Sequence, residues 1–201
     1  FVRTGGLLAN GSYTVTLDSR ADAFATALGG LLDGNRDGTG GDNYTGSFSI
    51  SGSGAVLRIG EFSRGPGQAA DVPATAMGVP ITISGATGAR AVSFSLEYDP
   101  SLLQITGVVG GAGMPAGSTV SADFSTPGVV HISLALGDAL GAGGLELVRL
   151  TAQVPGSAPY GAKQVLDLHD ITLDTAAPVR DDDGLHLVAY VGDTSGNAKY
   201  S

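Results

Sequence analysis

With 201 residues the chain is long enough for one sandwich-sized domain plus an appendage and short for two large domains. Its 10 Lys and Arg stand against 19 Asp and Glu, and the net charge of −9 repels a phosphate backbone or an anionic lipid surface, which argues against nucleic-acid binding and membrane insertion. Cysteine is absent, so disulfides, thiolate zinc sites and cysteine nucleophiles are excluded together, and oxygen ligands for hard cations are the resource that remains.

Short β-rich runs separated by glycine fill the chain, and no segment sustains a helical repeat of apolar residues for three turns. The opening Phe1-Val2-Arg3 reads as part of a strand, so the chain is expected to begin inside a domain. Alternation predicts strands at residues 13–17 (YTVTL) and 46–50 (GSFSI), each with one face buried. Between them, residues 21–32 (ADAFATALGGLL) predict a short helix or a loop, because Gly29 and Gly30 oppose a longer helix. Ser51-Gly52-Ser53-Gly54 marks a hinge. Beyond it, strands are predicted at 79–83, 91–98, 103–109, 129–136, 145–154, 164–173 and 185–191, with glycine turns at 110–113 and 141–144. This spacing fits an all-β sandwich or jelly roll. Two strands do not build a core in water, so the first fifty residues are expected to pack on the sandwich, complete a partner, or form the tail of a domain. The polar, turn-like end at Ser201 also reads as an interrupted element.

Residues 79–173 resemble a cohesin domain, a jelly-roll β-sandwich known from bacterial cellulosomes and other surface proteins. Val79-Pro80-Ile81-Thr82-Ile83 is similar to its opening strand, and residues 91–103 (AVSFSLEYDPSLL) to its alternating strand running into a tyrosine, an Asp-Pro turn and leucine. Residues 143–154 (GGLELVRLTAQV) and 161–168 are similar to the later, closing strands. Residues 11–50 resemble the final part of a bacterial Ig-like domain through YTVTL, Leu31-Leu32-Asp33-Gly34-Asn35 and GSFSI. The C-terminal residues 192–201 (GDTSGNAKYS) resemble the start of a dockerin repeat, a calcium loop of EF-hand type. In that register Asp193, Ser195 and Asn197 stand at loop positions one, three and five, with the Lys199 carbonyl at seven. Ala198 replaces the usual glycine of position six. The expected organisation is therefore an Ig-like tail at 1–50, a linker and first strand at 51–78, a cohesin-like sandwich at 79–191 and a partial calcium loop at 192–201.

A second run, Asp33-Gly34-Asn35-Arg36-Asp37-Gly38-Thr39, repeats the first half of an EF-hand loop, with oxygen side chains at alternate positions and glycine at the sixth. Tyr44 holds the place of the closing glutamate, but Asp42 is close enough in sequence to supply a carboxylate. Ca2+ is the expected ion for Asp33, Asn35, Asp37, Thr39 and Asp42, while a metal-free series of Asx turns uses the same residue types. Asp181, Asp182 and Asp183 read as a solvated or cation-relieved group. His131, His169 and His186 lack short ligand spacing. Adjacent His169 and Asp170 should point to opposite faces of a strand, which argues against a hydrolase triad.

No nucleophile motif is present, and the resemblances imply a non-enzymatic, extracellular structural or adhesive module of a large bacterial surface protein. It would self-associate through its cohesin-like face and end segments, with neighbouring copies as partners. The alternative is a module that captures a separate dockerin-type protein or a glycan.

Overall fold

The computed structural model describes residues 5–193 and 195–198. Its thirteen strands are β1 (Gly11–Leu17), β2 (Tyr44–Ile50), β3 (Ala55–Ile59), β4 (Phe62–Arg64), β5 (Val79–Ser84), β6 (Ala91–Glu97), β7 (Gln104–Gly110), β8 (Thr119–Asp123), β9 (Val129–Ala135), β10 (Leu145–Gln153), β11 (Lys163–Leu173), β12 (Val179–Asp182) and β13 (Gly184–Val188). The fold is all-β, and the described chain divides into two compact units, Leu8–Gly52 and the remainder. Phe1-Val2-Arg3, expected to open a strand, lies outside the described residues.

In the smaller unit, β1 and β2 form an antiparallel ribbon in register from Gly11 opposite Ile50 to Leu17 opposite Tyr44. Tyr13 and Phe48, paired across the ribbon, stack with ring centroids 5.6 Å apart. None of the apolar side chains of this unit is buried; Ser19 is its only buried residue. Residues 21–32 form turns, which is the loop of the two sequence expectations. Gly29 adopts φ +81° and the Gly30 amide donates to Thr26 Oγ1. Those local bonds replace the helical ladder.

The larger unit is a sandwich of a five-stranded sheet, in the order β12-β3-β5-β10-β7, and a six-stranded sheet, β4-β13-β11-β6-β9-β8. Neighbours are antiparallel except β12 with β3 and β13 with β4, which run parallel. Alternation drives the assembly. Leu57 and Ile59 of β3, Ile81 and Ile83 of β5 and Leu150 of β10 meet Leu96 of β6, Ile132 of β9 and Leu166 and Leu168 of β11 in one buried cluster. At about 25 cal/mol per Å² of apolar surface removed from water, each such side chain contributes roughly 1.5–3 kcal/mol. The Asp99-Pro100 turn closes locally, with Asp99 Oδ1 accepting from the Ser101 amide and hydroxyl and the Asp99 carbonyl accepting from the Leu102 and Leu103 amides.

Strands β8 and β12 of this sandwich escape the sequence reading, and for β3 and β4 together the sequence predicts a single strand without defined bounds. Strands β3 and β4 occupy part of the stretch read as linker and first strand. Gly54 admits β3 to its place, since it adopts φ +149° and a Cβ there would lie 2.2 Å from the Pro178 carbonyl oxygen.

Candidate functional site

The turn after residue 32 gathers the first group of acidic residues. Asp33 is bridged to Asp42, and Gly34 packs so closely on the Asn43–Tyr44 backbone that a Cβ would lie 2.2 Å from the Asn43 carbonyl carbon. Asp33 Oδ1 accepts from the Asp37 amide at 3.1 Å and its Oδ2 from the Gly38 amide at 2.8 Å. Asn35 Oδ1 also accepts from the Asp37 amide, Asp37 Oδ1 from the Thr39 amide, and Asp42 Oδ2 from the Asn35 amide, each at 2.8 Å. The Thr39 amide, followed by the Asn35 side chain, holds the Asp37 carboxyl below its ordinary range. Asp33, Asp37 and Asp42 each bring one carboxylate oxygen to within 4.8 Å of the others, the single such group among the described residues. Asn35 and Thr39 belong to the same turn, with Asn35 Nδ2 donating to Asp37 Oδ2 at 3.1 Å.

The loop at Asp193 belongs to the larger unit. Asp193 Oδ1 accepts from the amides of Ser195, Gly196 and Asn197 and from the Ser195 hydroxyl, and Oδ2 from the Ala198 amide at 2.9 Å. Ala198 adopts φ +60°, the left-handed conformation for which glycine is favoured. Bonds from the fifth and sixth positions back to the first carboxylate are thus common to both loops. Lys199 lies outside the described residues. The Tyr160 hydroxyl donates to Asp193 Oδ2, and this bond leads the causes that lower the Asp193 carboxyl to about 2 and raise the Tyr160 hydroxyl. Tyr160 packs against Tyr190, with ring centroids 5.8 Å apart. Tyr160 was invisible in the sequence because 33 residues separate it from Asp193.

The Asp181–Asp183 run is divided by burial. Asp182 is buried and paired with Arg58 at 3.4 Å, while Asp183 accepts from the Leu168 amide at 2.9 Å. Burial raises the Asp183 carboxyl, with Asp181, Asp167 and Asp182 adding repulsion. The two sandwich faces differ in access. On the outer face of the five-stranded sheet, Arg149 is held by Glu146 at 2.6 Å and reaches the carbonyls of Val72, Met77 and Gly78, so the 65–78 loop covers part of that face. Arg58, Glu61 and Asp182 occupy another part.

The outer face of the six-stranded sheet carries small and polar side chains in register across four strands. One row runs Asp123 (β8), His131 (β9), Ser95 (β6), His169 (β11), and the next runs Ser121, Ser133, Ser93, Thr172. Ser95 Oγ lies 2.8 Å from His131 Nδ1, and Ser93 Oγ 2.7 Å from Thr172 Oγ1. Glu97 faces Asp167 at the end of the face. A bulge between His169 and Thr172, with Asp170 at φ +51°, overturns the expectation that His169 and Asp170 diverge. Their side chains meet at 3.0 Å because the left-handed residue breaks the alternation. Ser95, the serine bonded to a histidine in this row, is only 3% exposed, too enclosed to reach a substrate.

A family model described as the cohesin domain matches residues 67–197. No curated protein matches the chain. Among solved structures, a non-cellulosomal cohesin from the archaeon Archaeoglobus fulgidus superposes with a TM-score of 0.56 at 16% identity, covering 69% of this chain and 94% of that one. The sixth cohesin of Acetivibrio cellulolyticus scaffoldin B, solved in complex with a Cel5 dockerin, gives 0.57 at 18% identity over 68% and 99%. CaCohA2 from Clostridium acetobutylicum gives 0.57 at 18% over 71% and 94%.

Proposed function

The chain belongs to the cohesin family, and we propose that it is an extracellular, non-enzymatic module of a large surface protein that captures a dockerin-type calcium segment. The observation that carries this reading is the outer face of the six-stranded sheet, which spans four registered strands and presents Ser93, Ser121, Ser133 and Thr172 without a large apolar side chain among them. Small side chains let a partner backbone approach closely and hydrogen-bond to the hydroxyls. Solved relatives of the same fold include cohesins in complex with dockerins. A calorimetric titration of the full chain with dockerin-type segments in calcium tests the reading. Binding is expected, and Ser133→Arg, at an exposed position of β9, is expected to weaken it at least tenfold. Binding indifferent to Ser133→Arg removes the contact from this face.

The smaller unit is the tail of a bacterial Ig-like domain, and Asp33, Asn35, Asp37, Thr39 and Asp42 hold Ca2+ there. Support comes from the convergence of the three carboxylates, whose mutual repulsion a divalent ion relieves. Terbium luminescence, with Tyr44 as sensitiser, should titrate to one site in this turn and be lost in Asp37→Ala. An unchanged signal in that variant removes the ion from the turn. A second reading is head-to-tail association, in which Asp193, Ser195, Asn197 and Lys199 of one copy begin the calcium segment that docks on the next. The calcium-loop bonding pattern at Asp193 favours it. A chain ending at Gly192 should then remain monomeric where the full chain assembles in sedimentation velocity; equal assembly of both refutes it.

A further inference from the structure

The middle row of the outer face of the six-stranded sheet carries two histidines. His131 and His169 flank Ser95 on either side, and the register Asp123–His131–Ser95–His169 sets both imidazoles in the path of anything laid across β8, β9, β6 and β11. His131 is exposed and His169 half-buried. His169 Nδ1 faces the Asp170 carboxylate at 3.0 Å, and its Nε2 is buried without a hydrogen-bond partner.

The charged groups around this row are all of one sign. Asp123 faces His131 from β8, and Glu97 stands on β6 one row away, opposite Asp167 of β11. Asp170 adjoins His169 on its own strand, and Asp181 of β12 shares with it a cavity of about 310 Å³. Arg180 lies on the other face of β12 by alternation, and Lys163 lies two outward positions beyond Asp167 along β11. With both imidazoles neutral, the face is a ring of carboxylates that complements a cationic segment. With both protonated, two positive charges stand inside that ring, where a partner's Lys or Arg would approach.

We infer that the outer face of the six-stranded sheet binds a dockerin-type segment bearing Lys or Arg at neutral pH and releases it on acidification through protonation of His131 and His169. This rests on the partner-capturing reading above. Histidine is the side chain whose ordinary charge change falls between pH 5 and 8. The effect acts on the electrostatic part of the contact and is therefore weakened by salt.

The test uses a displayed library of two-loop calcium segments with randomised surface positions, selected against the full chain at pH 7.5. The strongest clone is made as a peptide and its affinity measured at pH 7.5 and 5.5 in saturating calcium. The expected result is a clone rich in Lys and Arg whose affinity for the native chain falls at least tenfold at pH 5.5, but less than twofold for the His131→Gln/His169→Gln chain. The second chain controls for proton effects on the peptide and its calcium. Affinity that is indifferent to pH, or that falls equally for both chains, overturns the inference and leaves partner capture standing. If no segment binds at either pH, partner capture itself fails and the inference falls with it.

Discussion

Acid should destabilise this sandwich through one buried ring. His186 on β13 is fully buried, stacks on Phe62 at 4.8 Å and meets Gln164 Nε2 at 3.1 Å through Nδ1, while its Nε2 has no partner. Gln164 Nε2 can only donate, so Nδ1 accepts and the neutral ring carries its proton on Nε2. Burial lowers the pKa of His186 from 6.5 to about 4. The unfolded chain therefore takes up a proton near pH 6.5 while the folded chain resists until about pH 4. Stability contributed by the neutral ring is complete above pH 6.5 and falls as pH drops through this window. At 1.36 kcal/mol per pH unit the loss is about 3 kcal/mol, a large share of the ~5–15 kcal/mol that holds a domain together. Urea unfolding of the native chain and His186→Gln at pH 7 and pH 4 isolates it, because the carboxylates contribute equally to both chains. The native chain should lose about 3 kcal/mol more than the variant. Parallel losses in the two chains would refute the argument.

Three further outcomes follow from local geometry. Ala198→Gly removes the cost of a left-handed alanine, about 1 kcal/mol, and should increase amide-exchange protection at residues 195–197; unchanged protection counts against the positive φ. Gly54→Ala forces a Cβ to within 2.2 Å of the Pro178 carbonyl oxygen and should destabilise the sandwich by about 2 kcal/mol or more, read as a lower urea midpoint. Arg58→Met leaves the buried Asp182 carboxylate without its 3.4 Å partner. Because Arg58 is itself 43% exposed, the expected cost is about 1–2 kcal/mol, below the ~3–5 of a fully buried pair, read as a lower urea midpoint.

What the sequence made legible was whatever repeats locally. The period-two alternation of residues 91–98 and 129–136 announced β6 and β9 because the same alternation packs the core. The acidic turn was legible for the same reason: Asp33, Asn35, Asp37 and Asp42 are close in sequence, and Asp42 reaches back to the Asn35 amide. The bounds of β3 and β4 and the existence of β12 were not, since three to five residues carry little periodicity and two of their pairings join residues more than a hundred positions apart. The polar edge strand β8, with the pattern Thr-Val-Ser-Ala-Asp, offers a single large apolar residue. The row from Asp123 to His169 exists only after four strands align, and the His169–Asp170 contact needs a bulge that no local pattern marks.

The two parallel pairings also decide how the sandwich carries tension. Strand β3 begins the larger unit's continuous segment and runs alongside β12 through four residue pairs, while β4 runs alongside β13, the last strand, through three. A pull applied in opposite directions at residues 53 and 192 loads these ribbons lengthwise. Their hydrogen bonds then resist together in shear, whereas an antiparallel hairpin pulled from its open end would unzip one bond at a time. The mechanical lock against such a pull therefore lies in these two parallel ribbons, β3 with β12 in one sheet and β4 with β13 in the other.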